Sequence, residues 1–148
     1  MKFIRGTLPG IEGQHDISVL EGDTHICKWI AEHGRLDQDA NMWPRMEQLG
    51  LINRESVVYD IVAYVGDCTA WYASKAKAVV AFEAYYDAFL CLWQNMQRYN
   101  GVFAIVHAYH GAVGNGEFND GDVHTIRRVL RLTRDTVETL NERASWVG

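Results

Sequence analysis

The run Ser56-Val57-Val58-Tyr59-Asp60-Ile61-Val62, continued by Ala63-Tyr64-Val65-Gly66-Asp67, decides the fold. β-Branched and aromatic residues fill it, and Asp60 alone interrupts them. A strand buried on both faces reads this way, because neither side has to meet water. Downstream, 69–77 is alanine-rich and predicts a helix, and Ala78-Val79-Val80-Ala81-Phe82 predicts a second strand ending in Glu83. Residues 85–99 carry Tyr86, Phe89, Leu90, Trp93 and Met96 at helical spacing. Asn100-Gly101 breaks that helix, and Val102-Phe103-Ala104-Ile105-Val106 predicts a third strand. Strands alternating with helices over short connections imply parallel pairing through right-handed crossovers, hence an α/β, Rossmann-like sheet.

On the N-terminal side, Phe3-Ile4 and Ile17-Ser18-Val19-Leu20 predict short strands, separated by turns at Pro9-Gly10 and Gly13. Asp23 is placed to cap a helix running through His25, Ile26, Trp29, Ile30 and His33 to a stop at Gly34. A shorter helix is expected over 41–49, with Pro44 near its start and Gly50 closing it. On the C-terminal side, a Gly/Asn/Asp-rich loop covers 111–121. A final helix is expected over 122–141, with Val123, Ile126, Leu130, Val137 and Leu140 along one stripe. The expected organisation is a single domain over 1–148. It comprises an N-terminal extension (1–55), a βαβαβ core (56–121) and a C-terminal helix (122–148).

Composition narrows the class. At 148 residues, 48% hydrophobic and 22% charged, the chain suits one globular domain with a buried core. Its net charge of −5 weighs against a chain built to coat nucleic acid. Cys27, Cys68 and Cys91 are scattered and odd in number, so they form neither a disulfide framework nor a zinc signature. Neither a leader-like apolar core nor a membrane-length apolar run is present, and the expected location is cytoplasmic.

In such a sheet, ligands bind beyond the carboxyl ends of the strands. Two features fall there: the turn 60–67 after the first strand, and Glu83 at the end of the second. An acidic residue at that second position suits the two hydroxyls of a ribose, and small residues in the turn let backbone N–H groups approach a ligand. A solvated strand-end carboxylate explains Glu83 taken alone; the order and spacing of Asp60, Gly66 and Glu83 favour a nucleoside ligand.

The stretch 57–69 resembles the first motif of FkbM-type methyltransferases, an acidic residue followed by glycine, alanine and a second glycine. Val79-Val80-Ala81-Phe82-Glu83-Ala84 is similar to that family's second-strand motif, and Gly111-Ala112-Val113-Gly114-Asn115 to the segment after its third strand. Residues 23–37 look like the upstream part of short phage-encoded members. The resemblance implies a class I methyltransferase fold binding S-adenosylmethionine (SAM). Asp60, Val62, Ala63, Tyr64, Gly66 and Asp67 would then line the methionine and ribose side of the cofactor. Glu83 would hold the ribose hydroxyls, and Ala84 would border the adenine.

Three departures from that family count against activity. Val62 stands where the family has glycine, so its side chain is expected either to fill ligand space or to force the turn into a β conformation. Ala84 replaces proline. After Gly121 the family continues through further strands on the acceptor side, whereas this sequence is expected to end in one helix. No residue offers itself as a general base, so catalytic residues are left unassigned. A shortened sheet leaves the first strand as an apolar edge, from which homo-oligomerisation is expected.

Other groupings are weaker. His107 and His110 with His124 are expected to be ordinary strand-end histidines, and no metal site is assigned. Arg127, Arg128, Arg131 and Arg134 form a band that reads more readily as a mixed-charge solvent face than as a phosphate contact. Trp71, Tyr72, Phe82, Tyr85, Tyr86, Phe89 and Trp93 are expected in the core, whereas Tyr64 is expected to stack on a base or cap an emptied pocket. Three functions follow in order: a SAM-binding methyltransferase-like protein, a non-enzymatic binding module on the same fold, and a nucleic-acid binder using the arginine band. An example of the second would be a phage-encoded inhibitor of a host or defence protein.

Overall fold

The computed structural model describes residues 1–36 and 42–113, together with the backbone of Val129–Leu130. Lys2–Leu8 (β1) and Ile11–Val19 (β2) form an antiparallel hairpin, paired from Lys2↔Val19 to Leu8↔Ile11 around Pro9-Gly10. The apolar patches read in the sequence belong to strands longer than those patches suggest. Residues 12–16 of β2 are polar or glycine and mostly exposed, and Gly13 lies inside the strand at φ +90° instead of in a turn. Only Ile17, Ser18 and Val19 of β2 are buried.

Ile26–His33 (α1) follows, and its start is fixed as expected. The Asp23 carboxylate accepts the N–H of His25 at 2.6 Å and of Cys27 at 3.4 Å, and Gly34 closes the helix in the left-handed region at φ +63°. Trp43–Gln48 (α2) carries Pro44 in its first turn, where a missing N–H is harmless. Trp43 stacks on Trp71 with centroids 5.2 Å apart.

The core is the alternating set expected from the sequence: Val57–Ile61 (β3), Asp67–Lys75 (α3), Ala78–Glu83 (β4), Tyr86–Met96 (α4) and Ile105–His110 (β5). The sheet runs β3-β4-β5 with both pairings parallel, so the core is α/β and Rossmann-like. Central β4 is buried at all six positions, which is why its sequence is apolar without alternation. One face of the sheet, through Val58, Val79, Ala81, Val106 and Ala108, joins the main core with the helices and the hairpin. The other gathers Val57, Tyr59, Val80, Phe82, Tyr109 and Val113.

Several expectations need correction. The third strand starts later than Val102, which is 64% exposed. After Gly101 the chain turns, Asn100 Oδ1 accepts the Val106 N–H at 2.7 Å, and the ladder with β4 begins at Ala78↔Ile105. Residues Ala112–Val113 (β6), expected in a loop, pair in parallel with Val129–Leu130 (β7). A helix therefore does not run through 129–130: ladder pairing overrides the helical spacing of the apolar residues there. The rest of the expected C-terminal helix, its arginine band, His124 and most of the 111–121 loop lie outside the described residues. The buried face of α4 is Ala88, Cys91, Leu92, Asn95 and Met96. Tyr85, Tyr86 and Trp93 are 45–50% exposed instead of core. Among the described residues no helix is long and apolar enough to cross a membrane.

One buried amide ties the hairpin to the sheet. Asn95, fully buried on α4, accepts the Ser18 N–H at 2.7 Å and donates to Ser18 O at 2.9 Å, copying one rung of a β-ladder. It also donates to Val65 O at 2.8 Å, in the turn between β3 and α3. Truncation would leave an N–H and two carbonyls buried without partners. Asn95→Ala is expected to lower unfolding free energy by about 2–4 kcal/mol in urea titrations, since each orphaned group costs about 1–3 kcal/mol. A loss under about 1 kcal/mol would mean that the hairpin is held by packing alone.

Candidate functional site

The three parallel strands end together, and the turn after β3 is laid across the end of β4. Ala63 N–H donates to Phe82 O at 2.9 Å, and Gly66 N–H donates back to Ala63 O at 2.9 Å. Glu83, 5% exposed, uses both carboxylate oxygens: Oε2 accepts the Tyr64 N–H at 2.8 Å and Oε1 the Tyr85 N–H at 2.7 Å. Its carbonyl accepts the Gly111 N–H at 2.8 Å, joining the end of β5 to the same point.

A crevice of about 100 Å³ opens here, lined by Ile61, Val62, Phe82, Glu83, Ala84, Gly111, Ala112 and Val113. Of the residues read from the sequence, Val62, Glu83 and Ala84 line it. Asp60, Ala63, Gly66 and Asp67 are buried and are not among its lining residues. Ile61, which also lines it, falls within the turn 60–67 read from the sequence; Phe82, Gly111, Ala112 and Val113 were not singled out as lining residues. The Ala84 carbonyl lies 3.0 Å from His110 Nε2, and the His110 ring packs against Tyr86 and Phe89. His107 and His110 share β5 at odd separation, so their side chains leave opposite faces of the sheet. Among the described residues no group of three or more His, Cys, Asp or Glu gathers to hold a metal ion.

Val62 neither packs into the sheet nor adopts a β conformation. It sits at φ +66°, 77% exposed, a backbone region that glycine enters freely and a β-branched residue enters only under constraint. Tyr64 is also left-handed, at φ +51°. The turn thus takes, with a valine in place, a backbone shape that glycine adopts without cost. Tyr64 departs from expectation too, since its hydroxyl reaches away to the N-terminal segment and donates a short hydrogen bond to Asp23 Oδ2. The Cys27 thiol lies 3.9 Å from the same hydroxyl. Burial, then the Asp23 and Cys27 neighbours, push the phenol well above its ordinary range. Burial alone would raise Asp23, but hydrogen bonds from Tyr64, His25 and Cys27 outweigh it and hold its carboxyl low.

No protein-family model and no curated protein sequence matches the chain. Among solved structures it is similar to a suspected RNA methyltransferase of Pyrococcus horikoshii, with 23% identity and a TM-score of 0.43 over 49% of this chain and 36% of that one. It is also similar to wild-type Trm5b of Pyrococcus abyssi, with 24% identity and a TM-score of 0.36 over 45% of this chain and 20% of that one. The match spans about a third of the first protein's length and a fifth of the second's.

Asp60 supplies the electrostatics behind the crevice. It is 9% exposed and accepts a short hydrogen bond from the Thr69 hydroxyl. Burial raises its carboxyl above the usual range, the Thr69 bond opposes this, and the nearby Glu83 charge adds to the rise. No basic side chain pairs with either carboxylate among the described residues. A carboxyl raised on folding binds protons more tightly in the native state, so its ionisation subtracts stability as pH climbs above the unfolded value near 3.8. Relative to the native chain, Asp60→Asn is therefore expected to melt more favourably at pH 7 than at pH 4, measured by calorimetric Tm. An offset that ignores pH would show that Asp60 is not ionised at this cost.

Proposed function

We propose that this chain is a methyltransferase-like protein of the FkbM type that binds the nucleoside end of SAM in the crevice at the strand ends. The observation that carries the reading is Glu83. Its buried carboxylate ends the central strand, faces the crevice, and keeps two of its four acceptor positions after taking the Tyr64 and Tyr85 N–H groups. That is the chemistry a vicinal diol requires.

The fit is partial. About 100 Å³ matches a ribose-sized group and falls well short of the 300–1,000 Å³ of whole-ligand pockets. Glu83 would hold the hydroxyls and Ala84 would border the base. The turn 62–64 would close the crevice toward the methionine end, with Val62 at its rim. SAM would bring an electrophilic methyl group; the methyl acceptor is unassigned. Titration calorimetry with S-adenosylhomocysteine is expected to give a Kd below ~100 μM, weakened roughly tenfold or more by Glu83→Gln and tightened by Val62→Gly. No heat at millimolar ligand would defeat the reading.

A second reading, a binding module that contacts a protein partner, is favoured by one observation. Ile61 and Val62 are 48% and 77% exposed, side by side at the strand end. A host or defence protein is the kind of partner this reading implies.

Self-association belongs to both readings. Among the described residues β4 is the ladder partner of β3, which stands at the end of the order β3-β4-β5, and Val57–Ile61 contains no lysine, proline or bulge of the kind that protects an edge strand. Light scattering after size exclusion is expected to give a dimer or larger species, and a clean monomer at tens of micromolar would count against it.

A further inference from the structure

We propose that Tyr64 mechanically couples the crevice to the N-terminal helix α1, so that whatever engages Glu83 also sets the order of the first turn of α1. The coupling rests on the geometry of the chain itself; only its ligand-dependent arm rests on the function proposed above.

Tyr64 is held at both ends. Its N–H is bonded to Glu83 Oε2 at the crevice, and its hydroxyl to Asp23 Oδ2, forty-one residues earlier in the chain. Asp23 is the side-chain acceptor for the start of α1. Oδ1 takes the His25 N–H at 2.6 Å, while Oδ2 divides itself between the Tyr64 hydroxyl and the Cys27 N–H at 3.4 Å. His25, the residue at the N-cap position, makes no side-chain cap of its own. The backbone of Tyr64 lies at φ +51°, which a tyrosine leaves when its anchors are released. Loss of the Glu83 bond lets that backbone relax and swings the ring away from Asp23. Loss of the Asp23 bond frees the ring and loosens the turn over Glu83. Two anchors on one strained residue make the two regions a single unit.

Amide hydrogen exchange followed by NMR on the full chain tests this, with rates referred to β4 amides as the measure of global opening. Four proteins form the cycle: wild type, Glu83→Gln, Tyr64→Phe and the double variant. Glu83→Gln is expected to speed exchange at His25 and Cys27 by roughly fivefold or more, a typical coupling between sites. In the Tyr64→Phe background those amides are already fast, and adding Glu83→Gln should change them by less than about twofold. Equal acceleration in both backgrounds, or no change at α1 on altering Glu83, overturns the proposal. If Glu83→Gln does not fold, the reverse direction decides. Asp23→Asn, which keeps a capping oxygen, must then speed exchange at Ala63 and Tyr64, and unchanged rates there overturn the coupling. Saturating S-adenosylhomocysteine should slow His25 and Cys27 in wild type and not in Tyr64→Phe. Absence of binding would refute the nucleoside reading, and the four-protein cycle would still decide the coupling.

Discussion

The Glu83 carboxylate accepts two backbone N–H groups that the parallel sheet cannot satisfy, those of Tyr64 and Tyr85. Each belongs to a chain segment leaving the sheet, one after β3 and one after β4. A charged acceptor strengthens both bonds, and burial removes the water that would otherwise compete for them. The direction of departure of both segments is thereby fixed. With the Glu83 carbonyl taking the Gly111 N–H, one residue gathers the ends of all three strands. The crevice exists because these segments are held at that spacing.

Strain in the turn follows from the same arrangement. Two non-glycine residues in the left-handed region cost of order 1–3 kcal/mol each, and such positions persist only where surrounding bonds over-determine them. Here those bonds are identifiable. Ala63 is pinned to Phe82, Tyr64 to Glu83 and Asp23, and Val65 to Asn95. Exposure spares Val62 a steric clash but not its backbone cost. Behind the turn, Asp60 adds a second unfavourable term, a buried carboxyl beside another negative group. Unfavourable terms are thus concentrated at one end of an otherwise well-packed sheet, which supports the ligand crevice proposed above.

The sheet was legible because burial on two faces removes polar alternation, and β4, buried at all six positions, shows that; β3 was expected to be buried on both faces too, but as an edge strand it is only half-buried apart from Asp60, with Ile61 exposed. The helix limits at Gly34 and Gly50 were equally readable, since only a left-handed residue ends those helices. Strand β5 was misplaced because its second half, His107 to His110, is chemically mixed, and its limits are set by the ladder with β4. Glu83, Val62 and Ala84 line the crevice; strand order and spacing pointed to Glu83, and the family resemblance to Val62 and Ala84. Asn95 and the Asp23–Tyr64 bond were not legible. Each joins residues forty or more positions apart in the chain or sits in a helix pattern as one polar letter among apolar ones, so no local signal marks it.

Val62 does not make an ordinary strand exit, and this bears on the ligand proposed for the crevice. If the turn relaxed to a β conformation, the Tyr64 N–H would lose its acceptor and the buried Glu83 carboxylate would keep one of its two hydrogen bonds. That loss, about 1–3 kcal/mol for a group left unsatisfied, is comparable to the strain it would relieve. The balance is close enough that a further contact satisfying the Glu83 acceptors would hold the turn more firmly in the strained form that it already has. A diol donating to the remaining positions of that carboxylate would supply such a contact. In the function proposed above, occupancy and turn geometry would be tied by the same oxygen atoms, and the valine would make the tie stronger than a glycine, since glycine holds the left-handed shape without help.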